Sequence, residues 1–261
     1  MPKLGWNRIT ADMDVTAHSV HWPSQGFWYW QSFGLFISAL LLLYSFRHWP
    51  LDALVIAPYA NSHGFMLREA WATAQLGHVW VKQILLLLAL GLLASIGLSY
   101  WRSAWRDWRL PASFVLLSVI LGTGTIGLLK SVSPHSCPWD IQAYGGTDAY
   151  FPLFAQINAH TVGGCFPAGH ASAGFSLMSF YLLARLAGFR YAYGYWLAAF
   201  VLGFCMGWIQ MMRGAHFLSH TLWSAWWVWF VEISFFAVWI GLLHQQHSKF
   251  CVPKHMLRIL R

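Results

Sequence analysis

Apolar residues in this chain come in long unbroken runs, neither the alternation of a half-buried strand nor the one-sided stripe of a surface helix. Six runs stand out: Phe27–Phe46, Val81–Tyr100, Pro111–Lys130, Pro167–Ala187, Tyr193–Met212 and Phe217–Leu243. Each has about the 20 residues that a helix needs to cross roughly 30 Å of hydrocarbon. Ile84–Leu98 and Phe114–Leu129 carry no charge at all. Only Arg213–His216 separates the fifth run from the sixth, so the pattern leaves open two helices or one long kinked element. It predicts an all-α, polytopic membrane protein with six transmembrane helices in a bundle.

Two connecting stretches have helical spacing of their own. In SYWRSAWRDWRL, Trp101, Trp105 and Trp108 share a helical face while Arg102, Arg106 and Arg109 each follow by one residue. That pattern predicts a helix lying among anionic headgroups. FMLREAWATAQLGHVWVK predicts a short helix leaning on the opposite surface. The organisation is then a polar lead over 1–26, one membrane domain over 27–243 and a basic tail over 244–261, with no internal repeat. No cleavable signal peptide is evident, and the first span is expected to act as an uncleaved anchor.

Composition agrees: 58% of the 261 residues are hydrophobic and 9% charged, against about 25% charged in soluble domains. The distribution of the sixteen Lys and Arg residues sets the expected orientation. Lys3, Arg8, Arg102, Arg106, Arg109, Arg185, Arg190, Lys249, Lys254, Arg258 and Arg261 fall on one side, and Arg47, Arg68, Lys82, Lys130 and Arg213 on the other. By the positive-inside rule the first side, with both termini, is cytoplasmic. The net charge of +8 therefore reads as topology, and no basic stripe with base-stacking aromatics points to nucleic acid.

The candidate chemistry lies on the outer side. CFPAGHAS places His170 at the mouth of the fourth span, where a helix start offers unpaired N–H groups and positive dipole to an anion. The third span ends in LLKSVSPHSCPWD, and the link between the fifth and sixth is MMRGAHFLSHTLW. Lys130, Arg213, His170, His216 and His220 thus arrive on one rim. Phosphoryl transfer needs such a set: cations for the non-bridging oxygens, a nucleophile, and a proton donor for the leaving oxygen. Arg supplies a bidentate fork and Lys a point charge.

In that order KSVSPHSCP, PAGH and RGAHFLSH resemble the three motifs of the type 2 phosphatidic acid phosphatase superfamily: Lys-x6-Arg-Pro, Pro-Ser-Gly-His and Ser-Arg-x5-His-x3-Asp. The resemblance implies an integral membrane lipid phosphatase. His216 would form a phosphohistidine, and His170 would protonate the leaving group. Lys130, Arg213 and the backbone amides around Ala168 and Gly169 would hold the phosphate. It implies no metal and no cofactor. Its partners would be a membrane lipid phosphate and the bilayer, and its place a cell inner membrane with the site facing the periplasm or exterior.

The departures are specific. Cys137 stands where the first motif has Arg, Ala168 replaces its serine in the second, and Gln210 stands six before His216 with Arg213 three before it. His220 replaces the aspartate that orients the nucleophile; Asp140 and Asp148 are outer-loop carboxylates that could stand in. His135 and His160 read as loop residues. Cys137 and Cys165 both fall on the outer side, where an oxidising compartment permits a disulfide. Glu232, mid-way along the sixth span, reads as structural. A phosphotransferase, a non-catalytic phospholipid-binding relative, and a haem or metal protein built on the His216 and His220 pair also stay open.

Overall fold

A computed structural model describes residues 21–153 and 163–246. His160, most of the N-terminal lead and the basic tail from residue 247 lie outside the described residues. The helices are α1 (Gln25–His48), α2 (Leu51–Ile56), α3 (Val81–Trp101), α4 (Arg109–Ser131), α5 (Gly169–Phe175), α6 (Ser179–Leu186), α7 (Ala192–Met212) and α8 (Leu218–Gln246). A π-helical turn, Ala72–Trp80, runs directly into α3, and a hairpin pairs β1 (Ala60–Asn61) with β2 (Gly64–Phe65). The protein is all-α in its membrane part and multi-pass, with five helical stretches long and apolar enough to cross a bilayer: Gln25–His48, Val81–Trp101, Ser103–Ser131, Ala192–Met212 and Leu218–His244.

The expected fourth span, Pro167–Ala187, is helical from Gly169 to Leu186 but broken into α5, a 3₁₀ turn at Ser176–Met178 and α6. Three serines lie along the broken segment. Ser172, Ser176 and Ser179 each turn their hydroxyl back onto the carbonyl three residues earlier, Gly169, Ala173 and Ser176 in turn. Such back-bonding competes with the helical ladder and bends it. The segment sits at the centre of the bundle, against α4, α7 and α8. Gly174 and Gly203 let α5 and α7 come into backbone contact, since a Cβ on Gly174 would lie 2.6 Å from Gly203 Cα. Small residues permit this close approach between helices in a membrane.

Burial separates a central set from a peripheral one. A third of the apolar window is buried in α4, α7 and α8, but only 6% in α1 and α3. The exposed faces of α1 and α3 carry Tyr29, Phe33, Phe36, Leu41, Leu87 and Leu93, a surface suited to lipid and not to water. Ser24 starts α1 by accepting a hydrogen bond from the Phe27 amide at 3.2 Å, and Pro50 follows its last turn.

One local expectation changes and one open alternative is decided. SYWRSAWRDWRL is not a separate interfacial helix: Ser103–Trp108 is a 3₁₀ connection between α3 and α4. Arg109 reaches back to donate to Ser99 Oγ and Ser99 O at 2.9 and 2.7 Å, satisfying the end of α3. The fifth and sixth runs are two helices, because Gly214 takes φ of 76° between them, a left-handed conformation that favours glycine.

Candidate active site

The start of α3, the end of α4, the start of α5, the end of α7 and the approach to α8 meet at one end of the bundle. They enclose a cavity of about 440 Å³ lined by Lys82, Thr123, Lys130, Cys137, Trp139, Gly169, His170, Ala173, Met206, Gln210, Arg213, Ala215 and His216. That volume is in the range of small-molecule sites. No described Asp or Glu lines it.

Backbone hydrogen bonds stitch the three motif loops together. Gly164 and Cys165 donate to Ser133 O and His135 O at 2.9 and 3.0 Å, Trp139 donates to Gly214 O at 2.9 Å, and Ala168 donates to His220 O at 3.1 Å. Cys137 and Cys165 are disulfide-bonded, which joins the loop after α4 to the start of α5. Lys130, in the last turn of α4, runs its stem past Gly169, with its Cδ 3.9 Å from where a Cβ would sit. Of the two residues whose amides were expected at the phosphate, Gly169 lines the cavity. Ala168 is fully buried behind it, and its N–H is taken by the His220 carbonyl.

His216 follows the Gly214 turn and is 5% exposed. Its Nδ1 lies 3.5 Å from the Cys165 sulfur. His170 is half-buried, with Nε2 3.3 Å from the Gly77 carbonyl in the π-helical turn. A carbonyl only accepts, so this contact favours the proton on Nε2. Irregular turns of this type frequently mark functional sites. The Arg213 fork is oriented by two acceptors, Arg68 O from Nε at 3.0 Å and Gln210 Oε1 from Nη1 at 3.3 Å. Burial lowers the Arg213 pKa from its usual value, with Glu69 opposing, and the guanidinium remains a cation.

His220 does not reach the cavity. It is 2% exposed, its ring stands edge-on to His216 at a centroid distance of 5.8 Å, and its Nδ1 has no hydrogen-bond partner among the described residues. It borders instead a much smaller void, about 10 Å³, with Asp52, His135, Tyr150 and Ser219. Asp52 accepts from the Ser219 amide at 2.8 Å and from Ser219 Oγ at 2.6 Å. Burial nevertheless raises its pKa to about 6. Burial also lowers the His135 pKa, against a hydrogen bond to the Phe151 backbone. Asp140 accepts from Trp139 Nε1 at 2.9 Å and Asp148 from Ser136 Oγ; neither lines the cavity of His216.

Cys165, His216 and His220 bring three potential ligand atoms within 4.8 Å of one another. Cysteine ligates a metal as a thiolate, and this sulfur is in a disulfide, so the donor set does not fit a Cys-His₂ centre.

The structure thus brings Lys130, Gly169, His170, Arg213 and His216 to one cavity and leaves Ala168 and His220 behind it. Three contributors and one residue of the layer behind them were not singled out from the sequence. Lys82 read as an outer-side charge, Gly77 and Asp52 lay in the connection after the first span, and Gln210 counted only as a departure. The one available signal was a lysine and an aspartate beside apolar runs, where charge is costly without a function.

Residues 111–242, about half of the chain, match the family model of the PAP2 superfamily. The chain belongs to that superfamily, the type 2 phosphatidic acid phosphatase class. Membership places it among the phosphoric ester hydrolases in general terms. No curated protein and no solved structure gives a significant match.

Proposed function

We propose that this protein is an integral membrane phosphatase that removes a phosphoryl group from a lipid phosphate or diphosphate at the outer leaflet through a phosphohistidine. The supporting observation is the placement of His170 and His216 on one cavity with Lys130 and Arg213, lined by no described carboxylate. Lys130 and Arg213 neutralise the non-bridging oxygens. With Nδ1 turned to the Cys165 sulfur, Nε2 of His216 attacks phosphorus. The bond to the leaving oxygen breaks, the lipid's own oxygen in a monophosphate and the bridging oxygen in a diphosphate, and that oxygen takes the proton from His170. Water then attacks the phosphohistidine, gives its proton to His170 and releases inorganic phosphate.

The reading includes six membrane crossings, with α5 and α6 together making the fourth. Both termini lie in the cytoplasm, and the cavity opens on the periplasmic or exterior side of a cell inner membrane. The Lys and Arg distribution supports this orientation, and a site at headgroup depth suits a lipid substrate.

The test is phosphate release by detergent-purified protein from a panel of phosphatidic acid, phosphatidylglycerol phosphate, undecaprenyl diphosphate and lipid A phosphates. At least one should be hydrolysed, with no turnover by His216→Ala and a loss of about 10²-fold or more for His170→Ala. Hydrolysis by His216→Ala at the native rate overturns the mechanism.

A further inference from the structure

Among the described residues, three Lys and Arg side chains line the cavity, and only two of them belong to the segment that matches the family. Lys82 opens α3, well before the matched residues 111–242, yet it lines the same space as Lys130 and Arg213. Its position is fixed by the turn that precedes it. Gly77 carries the carbonyl that meets His170 Nε2 at 3.3 Å, and it sits so close to α7 that a Cβ would lie 2.7 Å from Ile209 Cγ2. Further back, Arg68 O accepts from Arg213 Nε at 3.0 Å. The segment from Arg68 to Lys82 is therefore one wall of the site, although its sequence carries no motif.

Charge and volume indicate what Lys82 is for. A phosphomonoester carries about −1.5 to −2 near pH 7, which Lys130 and Arg213 already match. The third cation faces no described carboxylate in the cavity, and among the described residues the sole ion pair is Arg68 with Glu69. The cavity is also too large for one phosphoryl group alone. Lys82 is exposed while lining that cavity, so it can meet a second negative group between the enclosed phosphoryl site and solvent.

We propose that Lys82 is a specificity-determining residue that binds a second anionic group beside the transferred phosphoryl, the proximal, lipid-linked phosphoryl of a diphosphate headgroup, while Lys130 and Arg213 hold the terminal, reacting one. This rests on the phosphatase reading of the site. It narrows the substrate class to lipids whose headgroup presents two adjacent phosphoryl groups.

Methylenediphosphonate, whose P–C–P bridge cannot be hydrolysed, and methylphosphonate are titrated calorimetrically into detergent-solubilised full-length protein. The wild type should bind the diphosphonate at least about tenfold more tightly, the worth of one charge-assisted hydrogen bond. Lys82→Met, which keeps the stem length, should lose that preference while its methylphosphonate affinity shifts by less than about threefold, and Lys82→Arg should restore it. Equal weakening for both ligands assigns Lys82 to the reacting phosphoryl and overturns the proposal, as does no change for either. Lipid hydrolysis is measured in parallel. Turnover without a Lys82-dependent preference overturns the Lys82 assignment alone, whereas that preference without any turnover retains it and overturns the phosphatase reading.

Discussion

Replacing Asp52 by Asn tests the buried layer behind His216. Asp52 is 8% exposed, and its carboxylate takes both the amide and the hydroxyl of Ser219 in the first turn of α8. Those bonds favour the ionised form, but desolvation outweighs them and raises the pKa from 3.8 to about 6. The group therefore binds its proton more tightly when folded than when unfolded. Its contribution to stability is complete below pH 3.8 and is lost as pH rises through 6. The full span corresponds to about 3 kcal/mol, of which about 2 kcal/mol falls between pH 4.5 and 7.

Other titratable groups near it are Tyr144 and Tyr150, which its charge helps to push up, and His135 and His220 across the small void. These remain in the variant, so their direct titration largely cancels in the difference between the two proteins. Equilibrium unfolding of wild type and Asp52→Asn in mixed micelles, from pH 4.5 to 7, should show the wild type losing about 2 kcal/mol relative to the variant. A difference that stays constant over that range would mean that Asp52 keeps an ordinary carboxylate pKa in the fold, and the desolvation argument would fail.

Two further substitutions examine how the site is held. Gly77→Ala places a methyl 2.7 Å from Ile209 Cγ2, which forces the turn off α7 and its carbonyl off His170. Lipid-phosphate turnover should fall about tenfold or more, since small displacements of catalytic groups are costly, and Ile209→Ala should recover part of it; full activity in Gly77→Ala alone refutes the role given to that carbonyl. Joint replacement of Cys137 and Cys165 by Ser removes a link across a sequence separation of 28 residues. Loop entropy puts the loss at about 3 to 4 kcal/mol, measured by denaturant or detergent unfolding, and a loss under about 0.5 kcal/mol would show that the backbone bonds between the loops suffice.

The apolar runs alone determined the class of the protein, because a charge-free stretch such as Ile84–Leu98 has few other stable environments. Three short motifs in order identified the family and the pairing of His170 with His216. Their spacing along the chain was enough, since each motif sits at the end of an apolar run and successive runs must return to the same surface. Sequence could not show that the fourth run is broken into α5 and α6. That outcome depends on neighbours close enough to enclose the bend. Nor could it show that the Ala168 amide is spent on the His220 carbonyl, or that His220 faces away from the cavity, because a hydrogen bond between distant segments has no local signature. Lys82 and Gly77 entered the site, and Asp52 the layer behind it, only through packing. Glycine contacts between α5 and α7, the Gly77 contact with Ile209, and the disulfide bring these segments within reach of one another, and those distances exist only in the assembled bundle.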